Sequence, residues 1–236
     1  MFKIDRPLII YRYEVIVAVI VLLLTGSIAI SSKNADQFLQ PLPHFPYSIA
    51  LTFDDGPHPY YTDAILSLLK DNGATATFFV VGSQVVKYPD LLRSLSANKC
   101  EVESHTMTHR NLSHLTDSEI KKELESMKYL IKQYAGQNSL FFRPPGGQYN
   151  DHVVQVARDM GLTMVLWSVF PRDHEENDSN AIVRRVLEQS RDGGIVLLHS
   201  GRRPTLAALP IIIKQLREKG FRFVTVQDIM KDKVKA

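Results

Sequence analysis

The chain has no internal repeat, no low-complexity tract and only one cysteine, Cys100. The absence of a second thiol excludes an internal disulfide, and without repeats there is no solenoid or propeller to build. An excess of one charge is missing as well: 28 Lys and Arg face 25 Asp and Glu, a formal net charge of +3. The basic residues are scattered among acids rather than striped, which argues against a nucleic-acid partner. What remains is 236 residues with 44% hydrophobic content, enough for one globular domain of about 185 residues with a full core, plus a terminal segment. Cys100 falls in a predicted strand and reads as a buried packing residue.

Val15 to Leu24 is an unbroken apolar run, continued after Thr25-Gly26-Ser27 by Ile28-Ala29-Ile30 and preceded by Lys3, Arg6 and Arg12. It has no polar face to show to water, and its length is at the short end for a hydrocarbon core of about 30 Å. Two readings stand: an uncleaved signal anchor, which is favoured, or a secretory signal cleaved after Ala29, with Ser27 close before the cut. Both keep the basic end inside and export the remainder, to the outer face of the membrane or beyond it. Residues 31–46, with Pro41, Pro43 and Pro46, read as a linker. The expected division is therefore anchor or signal 1–30, linker 31–46, a catalytic domain 47–230 and a basic tail 231–236 carrying Lys231, Lys233 and Lys235.

Short β-branched or aromatic runs alternate with helical spacing through the rest of the chain, the pattern of parallel strands joined by crossover helices. Seven strands are predicted: Ser48–Phe53, Ala76–Val81, Cys100–Glu103, Leu140–Phe142, Thr163–Trp167, Ile195–Leu198 and Phe221–Thr225. Helical spacing recurs at Ile65-Leu68-Leu69, Val153-Val154-Ala157 and Leu209-Ile212-Ile213-Leu216. The clearest helix opens on the capping box Thr116-Asp117-Ser118-Glu119, buries Ile120, Leu124, Met127 and Ile131, and ends at Gly136. The expected fold is α/β, a distorted seven-stranded (β/α) barrel with its site at the carboxyl ends of the strands; a doubly wound open sheet is the alternative.

Thr52-Phe53-Asp54-Asp55-Gly56 puts two adjacent carboxylates where an apolar run breaks at a glycine. Like charges that close need a cation between them, or one of them acts as a base; the plainer reading is a turn. His105-Thr106-Met107-Thr108-His109 adds two imidazoles, and on one turn of helix that spacing sets both rings on one face. An Asp and two His make a metal site. Arg143-Pro144-Pro145-Gly146-Gly147, Asp173 and Leu197-Leu198-His199 follow in order.

With these motifs, over about residues 47–230, the chain resembles the NodB-homology polysaccharide deacetylases, carbohydrate esterase family four. The resemblance implies one divalent cation on Asp55, His105 and His109. Zinc suits mixed imidazole and carboxylate ligation, and cobalt, nickel, iron or manganese could take the same site. It further implies Asp54 as general base, aimed by Arg143, and a backbone N–H at Gly146 holding the oxyanion. His199 would be the acid that protonates the departing amine, oriented by Asp173, which raises its pKa. The implied substrate is an N-acetylated cell-surface polysaccharide, peptidoglycan N-acetylglucosamine first.

The chain also departs from that pattern. His174 stands where the family has a tryptophan walling the acid's pocket, and Phe170 where it has a first Asp. Gly146 replaces an aromatic residue and Ser200 an Asp, changes expected to widen the cleft or alter its contacts. Glu103 replaces a small glycine, which predicts an extra carboxylate near the site. His44, His58, His114 and His152 read as surface or packing residues. Rival functions are an O-acetyl polysaccharide esterase on the same machinery, an iron oxygenase with two His and a carboxylate, and a non-catalytic glycan-binding relative. The strand–helix alternation opposes the oxygenase, which favours a β-sandwich, and the intact Asp54, Arg143 and His199 oppose the non-catalytic relative.

Overall fold

A computed structural model describes residues 46–235. The expected anchor or signal at 1–30 and nearly all of the linker lie outside the described residues. Among the described residues no helix is long and apolar enough to cross a membrane.

β1 (Tyr47–Gly56) is buried along almost its whole length, as a strand covered on both faces must be. Its alternate side chains go to different cores: Ile49, Leu51 and Phe53 pack outward against helices, whereas Ala50 joins Phe79, Phe141, Val165 and Ile195 inside the sheet's curve. The other strands are β2 (Thr77–Val80), β3 (Glu101–Ser104), β4 (Phe141–Phe142), β5 (Thr163–Met164), β6 (Gly194–His199) and β7 (Phe221–Phe223). All pairs are parallel. The order is β5-β4-β3-β2-β1-β6, and β7 pairs with the first residues of β1. A single bridge, Val169 to Val196, links the segment after β5 to β6, so the sheet curves into a half-barrel.

The crossovers are α1 (Tyr61–Asp71), α2 (Gly82–Lys87), α3 (Pro89–Ala97), α4 (Asp117–Ala135), α5 (Asp151–Asp159), α6 (Ser179–Gln189) and α7 (Arg203–Glu218), with α8 (Val226–Lys235) at the end. The predicted helix at Thr116 forms as read: Thr116 accepts from the Glu119 N–H, Glu119 answers to the Thr116 N–H at 3.0 Å, and Gly136 closes α4 at φ 69°. α8 runs through residue 230, seats Val226 and Ile229 in the inner core, and carries Lys231 exposed. Its apolar residues therefore plug the amino-terminal mouth of the half-barrel.

Glu103 corrects one expectation. Its carboxylate turns away from the cleft and accepts hydrogen bonds from Ser139 Oγ at 2.7 Å, Phe141 N at 3.0 Å and Leu140 N at 3.1 Å, all at the amino end of β4. Burial outweighs these donors and pushes its pKa up from 4.5 to about 8. A carboxyl raised on folding contributes its full share of stability below pH 4.5, and that share is lost as pH rises through about 8. Glu103→Gln removes the titration. Between pH 5 and 9 the unfolding free energy of the parent is expected to fall by about 4 kcal/mol more than that of the variant. Parallel denaturant titrations check it; identical pH profiles would show that the three donors keep Glu103 ionised.

Candidate active site

Adjacent residues on a strand face opposite ways, so Asp54 and Asp55 need a local distortion to share a site. The structure supplies one. The register of β1 against β2 shifts after Phe53, and Asp55 adopts φ 70°. Both carboxylates then reach one imidazole: Asp54 Oδ2 lies 3.7 Å and Asp55 Oδ1 3.5 Å from His105 Nε2.

The predicted helical turn under the histidine pair is absent. Residues 105–109 form a loop after β3 in which Thr106 and His109 adopt φ 67° and 59°. The rings still converge, with centroids 4.9 Å apart, through left-handed backbone rather than helical spacing. The loop is pinned by Thr106 Oγ1, which accepts from His109 N, and by Glu123, whose carboxylate accepts from Thr108 N at 2.8 Å and Thr108 Oγ1 at 2.5 Å. Glu123 escaped the sequence reading. Its signal was a charge on the buried stripe of α4, between Ile120 and Leu124 and 6% exposed.

Arg143, directly after β4, is wholly buried. Nη1 donates to Asp54 Oδ1 at 2.7 Å and to Thr52 Oγ1 at 2.8 Å, while Nε and Nη2 donate to the carbonyls of Val165 and Leu166. The guanidinium carbon sits 4.0 Å from the Phe79 ring centroid. Burial draws its pKa down and Asp54 opposes that; the group stays a cation at neutral pH. Only Asp54 Oδ2 is left free to act.

His105, His109 and Asp55 fit a divalent cation on four counts. The carbonyl of Arg143 lies 2.9 Å from His105 Nδ1, which puts the ring proton there and turns the Nε2 lone pair toward the carboxylates. His109 Nε2 is 3.2 Å from Asp55 Oδ1, an atom that is buried yet makes no well-aligned hydrogen bond. Burial alone would raise the Asp55 pKa, but the two imidazoles outweigh it and hold it below the carboxylate range. One ligand atom from each residue falls within 4.8 Å of the others.

β6, paired with β1, delivers His199 in register with Asp54. Its Nδ1 is 2.7 Å from Asp173 Oδ1, and Asp173 Oδ2 accepts from His199 N and Thr205 Oγ1. Burial lowers the His199 pKa, yet Asp173, followed by Asp54 and Asp55, carries the balance upward. Gly146 sits at φ 62°, where a Cβ would meet the Gln148 side chain at an ordinary contact distance of 3.8 Å, whereas a Cβ on Gly147 would sit 2.7 Å from Trp167. The place of the missing tryptophan is filled by a run of rings, Trp167, Phe170, His174 and His199, with successive centroids 5.5, 5.6 and 5.3 Å apart.

The sequence profile of polysaccharide deacetylases matches residues 45–165. The chain belongs to this family. A peptidoglycan-N-acetylglucosamine deacetylase from Bacillus cereus is 39% identical over 190 residues, 78% of this chain and 89% of that protein. The solved structure of the peptidoglycan deacetylase PdaC from Bacillus subtilis superposes with a TM-score of 0.75 at 36% identity, covering 80% of this chain and 92% of that one. A pseudoenzyme of carbohydrate esterase family four from Bacillus anthracis reaches 0.74 at 28% identity, covering 78% and 65%. The fold thus hosts active and inactive members, so activity has to be argued from side chains. Polysaccharide deacetylases of this family are metal-dependent, and this deacetylase brings an Asp-His-His cluster into the same cleft.

Of the histidines read as surface or packing residues, His114 is exposed and His152 pairs with Asp117 at 3.0 Å across the α4–α5 surface. His58 differs: its Nδ1 and the Ser200 Oγ are buried without a partner. His44 lies outside the described residues.

Proposed function

We propose that the chain removes N-acetyl groups from amino sugars of a cell-surface polymer, with peptidoglycan N-acetylglucosamine as first substrate. The observation that carries this reading is that Asp54, held by Arg143, and His199, held by Asp173, stand in register on β1 and β6 in the cleft that carries Asp55, His105 and His109. A cation there, zinc by the character of its ligands, would polarise the acetyl carbonyl and make water more acidic. Asp54 Oδ2 takes the proton from the attacking water while Arg143 holds Oδ1, so the base cannot rotate away. A backbone N–H at Gly146 lies on the oxyanion. His199 gives a proton to the departing amine, and Asp173 fixes the tautomer that keeps its other nitrogen facing the cleft. An amine leaves poorly unless protonated, which is why the acid is separate from the base.

In this reading residues 1–30 anchor or export the chain, residues 31–46 link, and the domain 47–230 works outside the cytoplasm on wall glycan. Acetate release tests it, using the purified domain with peptidoglycan, chitin oligomers, acetylxylan and poly-N-acetylglucosamine. Release from peptidoglycan at least tenfold faster than from acetylxylan is expected. The reverse order would make the chain an O-acetyl esterase, and no release from any polymer would place it with the non-catalytic relatives.

A further inference from the structure

The cleft contains a second set of ligating side chains, and one of them, His174, has no part in the proposed reaction. Asp173, His174 and His199 each offer one ligand atom, all within 4.8 Å of one another. We infer that His174 and His199 form a second cation site, inhibitory, beside the first; the inhibition rests on the reading of His199 as the acid.

Asp173 is wholly buried, and both its oxygens are committed to His199 and Thr205. It therefore acts behind the site. A carboxylate on one ring nitrogen raises the basicity of the other and fixes its direction, as in the carboxylate–histidine pairs that support bound zinc. His174 is the mobile half: its side chain is 44% exposed, its ring stacks on Phe170, and its nearest acid, Glu175, is 3.9 Å away. Tetrahedral zinc with bonds of about 2.05 Å holds two nitrogens about 3.4 Å apart. The His174 and His199 ring centroids are 5.3 Å apart, so a rotamer adjustment of the exposed His174 ring brings one of its nitrogens towards the cleft-facing nitrogen of His199. Water supplies the remaining positions. A cation on the cleft-facing nitrogen of His199 occupies the lone pair that the transferred proton needs, so the acid is lost while the first site stays intact. A tryptophan at position 174 could not ligate, so the site is a consequence of this chain's own residue.

The experiment equilibrates the purified domain at buffered free zinc and counts metal per chain by mass spectrometry, for the parent, His174→Phe and His105→Ala. Two zinc ions in the parent and one in His174→Phe are expected. As the second site fills, acetate release by the parent should fall at least tenfold while that of His174→Phe stays level. Equal metal counts in parent and His174→Phe, or equal inhibition, overturn the proposal. The His174-dependent ion should persist in His105→Ala, and its loss there also overturns an independent site. If His105→Ala instead holds as much zinc as the parent, the fault lies with the first site, and the comparison at position 174 still decides this one.

Discussion

Asp54→Asn is expected to lower kcat by about a thousandfold while metal content stays near that of the parent, because the proposed mechanism gives the roles of base and ligand to different residues. Asp54 Oδ2 stands 3.7 Å from His105 Nε2 and its Oδ1 is bound to Arg143, whereas Asp55 Oδ1 faces both imidazoles at 3.5 and 3.2 Å. Asparagine keeps an oxygen for Arg143 but cannot accept a proton. It also leaves a wholly buried guanidinium without its counter-ion, and breaking such a pair costs about 3–5 kcal/mol. A lower melting temperature should therefore accompany the lost turnover. His105→Ala should lose both metal and turnover. Metal analysis beside steady-state rates, on variants shown to be folded, decides the assignment: loss of metal in Asp54→Asn would make that residue a ligand.

Much of this arrangement was legible because strand ends are legible. Each predicted strand overlaps one found; Asp54 lies in the last three residues of β1, His199 ends β6, and His105 and Arg143 follow β3 and β4. What could not be read was backbone of unusual hand. Nothing in the sequence marks Thr106 for φ 67°, since a β-branched residue disfavours that region, so a helical turn is the only local geometry that the spacing of the histidine pair suggests. The two acids converge for a related reason, the φ 70° at Asp55. The predicted strand Thr163–Trp167 stops at Met164 because the next two carbonyls, of Val165 and Leu166, face the Arg143 guanidinium instead of a neighbouring strand. A long-range partner took the groups that local propensity had given to a ladder. Glu103 was expected near the cleft because it stands where the family has a glycine before the metal histidines, but its carboxylate is drawn along the strand to the donors of Ser139, Leu140 and Phe141. Glu123 and the unpartnered His58 and Ser200 carry no local motif at all, and only packing exposes them.

His199→Ala should separate the chemistry of the leaving group from the chemistry of attack. On an N-acetyl substrate kcat is expected to drop by about a hundredfold to ten-thousandfold, the usual range for a missing general acid. On an activated acetate ester, whose alcohol leaves without a proton, the loss should stay below about tenfold. The pH profile carries the same information independently. Burial would lower the His199 pKa, but Asp173 at 2.7 Å and the acids beyond it raise it above the ordinary value of 6.5. An acid with a raised pKa keeps its proton to higher pH than an ordinary imidazole, and amide turnover should fall as pH rises through that elevated pKa. Asp173→Asn removes the largest upward influence, so the alkaline limb should move to lower pH while the ester profile does not follow. Equal losses on amide and ester in His199→Ala, or an unmoved limb in Asp173→Asn, would reduce His199 to a residue that positions the substrate. The Asp54 result would then stand alone as evidence for catalysis in this cleft.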